Sequence, residues 1–269
     1  MSVQFWKYHG AGNDFVLLDF SLSAPDVDFS NLARRLCDRR SGIGADGLLL
    51  LLPSSVSDFR MRIFNADGSE PSMCGNGIRC LASYIFKRDG RSEVAIETAH
   101  AVLNCRQYEG GVAVNLGLPT ILSWKTPIAN QDLYVVHTGV PHAVVFVDEL
   151  DEVDVNERGR QIRLSPHFSP EGVNVNFVSV SKDGRVSIRT YERGVEAETL
   201  ACGTGAAAAA FVVMKVKNLE SPISIQTRAS FDKISYHEQL RFRFSKNDRP
   251  EIEMIGCAQE VFNGVIQIT

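Results

Sequence analysis

The sequence has no long hydrophobic run and no excess of basic residues. No window approaches the roughly 18 apolar residues needed to cross a bilayer, and the first residues, MSVQFWKYHG, lack the basic and apolar regions of an export signal. The formal net charge is −4, and the lysines and arginines are scattered along the 269 residues. We therefore expect a soluble, cytoplasmic protein that binds neither membranes nor nucleic acid.

The six cysteines are not arranged as a metal site. The chain has no CxxC pair, and no histidine stands at metal-ligand spacing from Cys74 and Cys80, the two cysteines closest in sequence. In a chain without an export signal, cysteines are expected to be thiols rather than disulfides. We predict no metal ion. Cys37, Cys80 and Cys105 are expected in the core, and Cys257 is given no role.

The chain repeats one pattern in its two halves. MRIFNADGSEPSMCGNGIRC begins at Met61 and IRTYERGVEAETLACGTGAAAAA begins at Ile188, and each contains a strand-like run, a polar turn and Cys-Gly-x-Gly before a helical segment. The two motif cysteines, Cys74 and Cys202, are 128 residues apart (202 − 74). In the similar segments HGAGNDFVLLD and HTGVPHAVVFVD, Gly12 and Gly139 are 127 residues apart (139 − 12). One internal duplication explains both offsets and predicts two similar domains.

Short strands outnumber helices in the predicted secondary structure, so we expect an α/β (α+β) fold. The first predicted domain is residues 1–119, and the last strand, 259–269, is a candidate to complete it. The second predicted domain is residues 120–258. A connection is predicted over Leu116–Leu133. Helices are predicted over Phe29–Cys37, with Asp28 or Ser30 as N-cap, and from the Cys74 motif toward Lys87, with a stop before Asp89-Gly90. A further helix is predicted after the Cys202 motif, where Ala206 to Ala210 is a helix-forming run. The predicted strands are Val3–Tyr8, Asp14–Asp19, Gly47–Leu52, Arg60–Phe64, Val94–Thr98, Val112–Leu116, Leu133–His137, Ala143–Val147, Asn174–Val180, Val186–Tyr191, Ile223–Thr227, Lys233–His237, Leu240–Phe244, Glu251–Cys257 and Val261–Ile268.

The Cys-Gly-x-Gly turns indicate thiol chemistry. A cysteine at the first turn of a helix lies beside unpaired N–H groups and the positive end of the helix dipole, which favour a thiolate. The dipole lowers the pKa of a thiol by on the order of one unit from roughly 8.5, which suits acid–base catalysis. The glycines let the backbone approach a ligand, and the N–H groups around Asn76 and Thr204 are suited to a carboxylate.

A pair of such turns is a stronger signal than one. A single cysteine before a glycine is more often a small buried hydrophobic residue. Inversion of a stereocentre, however, requires a base on one face of a carbon and an acid on the other. Two duplicated domains that face each other would supply both from Cys74 and Cys202. We therefore predict an amino-acid epimerase that uses these two thiols.

Five motifs together resemble the diaminopimelate epimerase family, namely GAGNDF at Gly10, RIFNADGSE at Arg62, MCGNGIRC at Met73, TYERG at Thr190 and ETLACGTGAAAA at Glu198. The resemblance implies two pseudo-symmetric domains, each a mixed β-sheet wrapped around a central helix, with the active site in the cleft between them. It implies interconversion of LL- and meso-diaminopimelate for lysine and peptidoglycan synthesis, without pyridoxal phosphate or another cofactor. A homodimer is the expected assembly.

The resemblance also implies roles for individual residues. Cys74 and Cys202 match the catalytic pair, and His142 and Glu192 match residues that assist it. Arg193 has the planar geometry for a bidentate contact with the distal carboxylate of the substrate. The substrate-binding positions are Asn13, Asn65, Gly75, Asn76, Asn174, Glu192, Arg193, Gly203 and Thr204.

Three positions depart from the family pattern. Gly47 stands where the family usually has glutamine, Val140 stands where it usually has asparagine, and the loop from Glu192 to Cys202 is one residue longer. Each change removes or moves a contact to substrate and leaves the cysteines in place. Because a lost buried hydrogen bond costs about 1–3 kcal/mol, we predict relaxed specificity that extends to glutamate racemisation.

Three other functions are alternatives at this point. A proline or hydroxyproline racemase also has paired cysteines in a duplicated fold, but Asn65 and the Tyr-Glu-Arg segment at Tyr191 favour an acyclic amino acid with a second charged end. A non-catalytic protein that binds small anions would need the glycines but not the thiols. Phenazine-biosynthesis-like isomerases share the duplicated architecture but not the cysteine pair.

Overall fold

The computed structural model describes residues 1–71, 73–129, 131–228 and 239–268. The predicted strand Lys233–His237 lies outside these residues. The α-helices in the described chain are α1 (Phe29–Cys37), α2 (Gly75–Asp89), α3 (Val155–Arg163) and α4 (Gly203–Lys217), and none of them is long and apolar enough to cross a membrane. The described strands are β1 (Ser2–Gly10), β2 (Asn13–Asp19), β3 (Gly47–Leu52), β4 (Phe59–Asn65), β5 (Glu93–Glu97), β6 (Val102–Tyr108), β7 (Gly111–Gly117), β8 (Thr120–Ile128), β9 (Gln131–His137), β10 (Pro141–Phe146), β11 (Asn174–Val180), β12 (Val186–Glu192), β13 (Ala197–Thr199), β14 (Ile223–Gln226), β15 (Leu240–Phe244), β16 (Ile252–Gly256) and β17 (Gln259–Gln267).

The chain divides into two compact units. Unit 1 comprises Met1–Val114 and Gly256–Thr269, and unit 2 comprises Asn115–Ile255. The first and last strands of the chain close unit 1, since β1 pairs antiparallel with β17 over most of its length. The sequence predicted residues 1–119 with 259–269 as one domain and residues 120–258 as the other.

Unit 1 contains a mixed sheet built around α2. Its strands are neighbours in the order β17, β1, β2, β3, β4, β5, β6 and β7, with parallel pairs β2–β3 and β4–β5 and antiparallel pairs elsewhere. Every residue of the strand β3, GLLLLL, is buried. Its alternate leucines Leu48, Leu50 and Leu52 pack with α1. The helix α2 contacts β1 to β6 and β17, so it is the central helix of this unit.

Unit 2 repeats this arrangement. Its sheet runs through β8, β9, β10, β11 and β12 and continues through β14, β15 and β16, while β13 also pairs with β12. The parallel pairs β10–β11 and β12–β14 occupy the places of β2–β3 and β4–β5. The helix α4 packs against strands from β9 to β15, and Ala206 to Ala210 are all 0% exposed. A helix that is apolar all round is typical of a buried position. The mixed α/β class with a central helix in each unit is therefore confirmed.

The predicted helix boundaries agree well with α1 and α2. The Asp28 side chain caps α1 by accepting a hydrogen bond from the Asn31 N–H at 3.1 Å. The helix α2 ends at Asp89, and Gly90 follows in the left-handed conformation with φ of 66°. The Asp-Gly pair thus stops the helix because glycine adopts this conformation without a steric penalty.

The predicted connection over Leu116–Leu133 is wrong. This segment contains β8 and the start of β9, which form an antiparallel hairpin with Thr120 opposite His137 and Ile128 opposite Gln131. Within the described residues β8 pairs with β9, and most of β8 is exposed. Pro127 within β8 is compatible with such an edge strand, where a missing N–H is tolerated.

The helix α3 is missing from the prediction because its sequence, VNERGRQIR, is short and polar. The Asp154 side chain caps it by accepting a hydrogen bond from the Glu157 N–H at 3.0 Å. Its glycine, Gly159, lies so close to Tyr191 that a Cβ at this position would collide with the tyrosine side chain. The Asp-x-x-Glu spacing is a helix-start signal, and Asp154 follows Asp28 by 126 residues (154 − 28). The duplication therefore already contained the signal for this helix.

Candidate active site

Cys74 lies at the N-terminus of the central helix of unit 1. It is the N-cap of α2, in extended conformation (φ −143°, ψ 112°), and its Sγ accepts a hydrogen bond from the Gly77 N–H at 3.4 Å. A Cβ at position 77 would lie 2.9 Å from Leu49 Cδ2, so glycine lets the helix start pack against β3. The N–H donor and the helix dipole both stabilise a thiolate at this position.

A buried arginine supports the same turn. Arg79 is 0% exposed, and its guanidinium donates to the Gly75 carbonyl at 3.0 Å and to Asn76 Oδ1 at 2.8 Å. Its Nε donates to the Cys257 carbonyl at 3.4 Å. The Asn76 carboxamide is thus held by its oxygen, and its NH₂ is the end that remains to donate to a ligand. Arg79 is not among the predicted site residues, although a charged residue inside the apolar helix GNGIRCLASYIF was the available signal.

The other predicted binding residues of unit 1 lie at strand ends. Asn13 begins β2 opposite Gly10, and a Cβ on Gly10 would lie 3.3 Å from the Asn76 carbonyl oxygen. The Asn13 Oδ1 is buried and accepts no hydrogen bond from the described residues. Asn65 ends β4 and is exposed, and its Nδ2 donates to Ser69 Oγ at 2.9 Å. The structure therefore brings the Asn13 hairpin to the Asn76 turn, whereas Asn65 is bonded within its own turn.

Cys202 occupies the equivalent position in unit 2. It is the N-cap of α4 (φ −121°, ψ 109°) and, in the part of unit 2 that is described, makes no capping hydrogen bond to the helix backbone. Its Sγ lies 3.5 Å from Thr204 Oγ1. Gly203 is the buried first residue of the helix. At Gly205, a Cβ would collide with Asn176 Oδ1 and lie 3.3 Å from the Cys202 sulfur, so glycine is required for this packing.

A fully buried histidine lies behind Thr204. His142, in β10, is 0% exposed, and its Nε2 is 2.9 Å from Thr204 Oγ1. Its Nδ1 is 3.2 Å from Asn176 Nδ2. Burial, reinforced by His137 and Arg193, lowers the pKa of His142 to about 3. The ring is therefore neutral at physiological pH and acts on its neighbours through hydrogen bonds rather than charge.

Unit 2 also contains hydrogen-bond partners that the sequence analysis did not assign. Asn176 Nδ2 donates to the Ala143 carbonyl at 3.1 Å, and Asn176 Oδ1 accepts from Thr190 Oγ1 at 3.0 Å. The Thr138 hydroxyl donates to the Thr204 carbonyl at 2.8 Å. The signal for Asn176 was the repeated asparagine of Asn-Val-Asn in an otherwise apolar strand, because a buried amide needs partners.

Asn174 ties the loop of Arg193 to the sheet. Asn174 is 4% exposed; its Oδ1 accepts from the Arg193 backbone N–H at 2.9 Å, and its Nδ2 donates to the Pro141 carbonyl at 3.2 Å. The half-buried Arg193 side chain donates to the Glu171 carbonyl at 3.2 Å. The structure thus brings Asn174 and Arg193 together, and both amide ends of Asn174 hold backbone groups.

Glu192 is the last residue of β12 and the source of a pH-dependent prediction. Burial raises the pKa of its carboxyl. A carboxyl whose pKa is higher in the folded state stabilises the fold below its unfolded pKa, and this contribution is lost as the pH rises through the folded pKa. The unfolding free energy of the wild type should therefore fall as the pH rises above about 4. Because glutamine stays neutral, Glu192→Gln should reduce this fall and be more stable than the wild type at neutral pH.

Urea unfolding at several pH values measures this difference. Glu149→Gln is the matched control, because Glu149 is exposed in the same unit, and it should keep the wild-type pH dependence. A Glu192→Gln profile parallel to that of the wild type would contradict the prediction.

The three departures from the family pattern have different structural settings. A Cβ on Gly47 would lie 2.8 Å from the Phe64 carbonyl oxygen and 3.4 Å from the Phe15 ring, so position 47 has no room for a side chain. We therefore interpret Gly47 as a packing requirement between β3 and β4 rather than as a lost substrate contact. Val140 is half-buried before β10, and the longer loop after Glu192 forms the turn between β12 and β13.

The remaining buried cysteines are chemically different from the motif cysteines. Cys37, Cys80 and Cys105 are 2%, 0% and 2% exposed, which confirms their predicted place in the core. Burial raises the pKa of the Cys37 and Cys105 thiols to about 12. Cys74 and Cys202 are instead half-exposed at helix N-termini. Among the described residues, no three His, Cys, Asp or Glu side chains form a group suited to a metal ion.

The sequence matches one known family over most of its length. The family model for diaminopimelate epimerase matches residues 5–122 and 134–247. A diaminopimelate epimerase of Caldanaerobacter subterraneus subsp. tengcongensis is 37% identical, and the alignment covers 99% of this chain and 100% of that protein. This chain belongs to the diaminopimelate epimerase family. The identification from the five sequence motifs is therefore confirmed.

Solved structures share the architecture of this family member. A phenazine biosynthesis protein of the PhzF family from Bacillus anthracis has a TM-score of 0.73 at 16% identity, with 100% of both chains covered. A hydroxyproline epimerase from Agrobacterium vitis, solved with trans-4-hydroxy-L-proline bound, has a TM-score of 0.68 at 14% identity and covers 98% of this chain and 92% of that chain. At these identities the likeness shows a common fold and no more.

Proposed function

We propose that this protein interconverts LL- and meso-diaminopimelate without a cofactor, with Cys74 and Cys202 as its acid and base, and so serves lysine and peptidoglycan synthesis. The observation that carries the proposal is the equivalent position of the two cysteines. Each is the N-cap of the central helix of its unit, with a half-exposed sulfur beside a hydrogen-bond donor or hydroxyl. Membership of the family supports the choice of diaminopimelate as substrate.

In the proposed reaction, one cysteine starts as a thiolate and the other as a thiol. The thiolate removes the α-proton and forms an S–H bond, while the opposite thiol breaks its S–H bond and delivers a proton to the other face of the carbon. No proton is gained or lost overall, so no further acid, base or redox partner is required. The proposal requires the two half-sites to face the same substrate.

The helix starts also offer a site for the substrate carboxylate. The N–H groups at Gly75 and Asn76, and at Gly203 and Thr204, belong to the first turns of α2 and α4 and point away from the helix. Negative charge that develops next to the α-carbon when the proton leaves is stabilised by such fixed donors. These residues therefore serve both binding and catalysis in the proposal.

The remaining binding residues fit a zwitterionic amino acid with a second charged end. Asn13 has a buried carboxamide oxygen without a donor among the described residues, and a substrate ammonium would satisfy it. Arg193 provides a guanidinium for a distal carboxylate, and Asn174 fixes its backbone. Asn65 and Glu192 complete the proposed set through their positions at the ends of β4 and β12.

Incubation with amino acids in deuterated water tests the function. We expect deuterium at the α-carbon and inversion for LL- and meso-diaminopimelate, and neither for trans-4-hydroxy-L-proline. For the relaxed specificity predicted from Val140, glutamate should exchange one to two orders of magnitude more slowly than diaminopimelate. The control is a double variant in which Cys74 and Cys202 are both replaced by alanine. Binding of diaminopimelate without any deuterium incorporation would instead support a non-catalytic anion-binding protein.

A further inference from the structure

The orientation of the Asn176 amide is fixed by its surroundings. Its Nδ2 faces the Ala143 carbonyl at 3.1 Å, and its Oδ1 faces the Thr190 hydroxyl at 3.0 Å. A backbone carbonyl accepts hydrogen bonds and cannot donate them, so the NH₂ group must point toward Ala143. Because the same Nδ2 lies 3.2 Å from His142 Nδ1, its second N–H points at the histidine ring.

This arrangement determines which ring nitrogen of His142 carries the proton. The ring is fully buried and neutral, so it has one N–H. Nδ1 accepts a hydrogen bond from Asn176 and therefore carries no proton. The proton must lie on Nε2, which then donates to Thr204 Oγ1 at 2.9 Å. A hydroxyl that accepts from Nε2 has its own hydrogen available for another partner, and Cys202 Sγ lies 3.5 Å away.

We propose that Asn176 is a positioning residue that holds the His142 proton on Nε2 and thereby makes the Thr204 hydroxyl a hydrogen-bond donor to the sulfur of Cys202. A hydrogen bond donated to sulfur favours the thiolate over the thiol. The role of this thiolate as a catalytic base rests on the proposed function, but the hydrogen-bond chain itself does not.

The two half-sites thus stabilise their thiolates by different means. At Cys74 the donor is a backbone N–H, that of Gly77. At Cys202 the donor is the Thr204 hydroxyl. The direction of its hydrogen bond depends on Asn176, a buried residue of β11. The charged or titratable groups that act on His142 are His137 of β9 and Arg193 after β12, and both oppose its protonation. The neutral ring required by the proposal is therefore maintained by burial and, in addition, by these two groups.

The first experiment determines the protonation of His142 directly. Nitrogen-15 NMR of the wild-type histidine side chains distinguishes Nδ1–H from Nε2–H rings, and Asn176→Leu assists the assignment. We expect a single Nε2–H form for His142 across neutral pH. In Asn176→Leu either form can satisfy the Thr204 contact, so the Nδ1–H form should become populated. A wild-type ring with its proton on Nδ1 would overturn the proposal.

The second experiment measures the thiol pKa of Cys202 from the pH dependence of alkylation by iodoacetamide, followed by mass spectrometry of the separate cysteine peptides. Thr204→Val should raise this pKa by about one to two units, because it removes a hydrogen bond to a charged group. Thr204→Ser keeps the hydroxyl and should remain close to the wild type. Cys74, measured in the same samples, should not change.

A double variant separates the hydrogen-bond chain from a merely structural role of Asn176. Asn176→Leu should raise the Cys202 pKa by itself but add nothing to Thr204→Val, since both changes act through the same hydroxyl. Asn247→Leu, at an exposed site in unit 2, is the matched control and should leave the pKa unchanged. Independent, additive shifts, or no shift in either single variant, would overturn the proposal. If Asn176→Leu does not fold, the wild-type NMR result and the Thr204 pair still decide the outcome. None of these readouts requires turnover, so they remain valid if the proposed substrate is wrong.

Discussion

Alanine at either Cys74 or Cys202 is expected to lower the rate of diaminopimelate epimerisation by about 10²–10⁴-fold, the usual loss when a general acid or base is removed. The double variant should lose little more than either single variant, because inversion needs both thiols and fails when one is absent. Initial rates measured from LL- and meso-diaminopimelate check this expectation.

Solvent exchange makes the test more specific. With one cysteine left, that thiolate can still remove the α-proton on its own face and return deuterium there without inversion. We expect the two single variants to exchange opposite diastereomers, since the remaining base addresses opposite faces of the carbon. Exchange of the same diastereomer by both variants would contradict the two-thiol mechanism. Cys257→Ala, outside both Cys-Gly-x-Gly motifs, should retain the wild-type rate.

Arg79→Met is expected to lower the unfolding free energy by about 3–5 kcal/mol. The reason is that a fully buried guanidinium donates to Gly75, Asn76 and Cys257, and methionine leaves these acceptors without their donors. Since a domain is typically stable by only about 5–15 kcal/mol, the variant should be marginally folded. Urea unfolding of the purified protein measures the effect.

The same substitution at Arg88 provides the control. Arg88 lies on the same helix, but its side chain is 26% exposed and pairs with Asp19 and Asp89 near the surface. Such pairs contribute about 1 kcal/mol or less. Equal losses in Arg79→Met and Arg88→Met would show that burial of the guanidinium is not the cause. Epimerase activity of folded Arg79→Met should also fall, because the Asn76 amide loses the contact that orients it.

The elements that local signals define were predictable. The Asp28 cap and the Asp89-Gly90 stop gave the ends of α1 and α2, and the alanine run gave α4, because capping and helix propensity act over a few residues. The hairpin of β8 and β9 was missed because Leu116–Leu133 is rich in turn-forming residues. Such residues are tolerated in an edge strand, and only pairing with a neighbour shows that the strand exists.

The candidate site was predictable only in part. The motifs identified Cys74 and Cys202, while Arg79 and Asn176 were missed because an arginine or asparagine in an apolar segment has no assigned role until its partners are known. Gly47 was interpreted as a lost contact, whereas its proximity to the Phe64 carbonyl shows a packing requirement. Both errors concern contacts between residues far apart in sequence.

The sequence by itself determined the duplication, the mixed α/β class, the family and the position of each thiol at a helix start, since these depend on local patterns and on motifs that recur at a fixed offset. Only the tertiary structure decided how each thiol is supported. Gly77 donates to Cys74, whereas Cys202 meets a hydroxyl that is bonded to His142 and, through it, to Asn176. Hydrogen-bond direction depends on the donors and acceptors that folding brings within about 3 Å of each other, and sequence spacing does not contain that information.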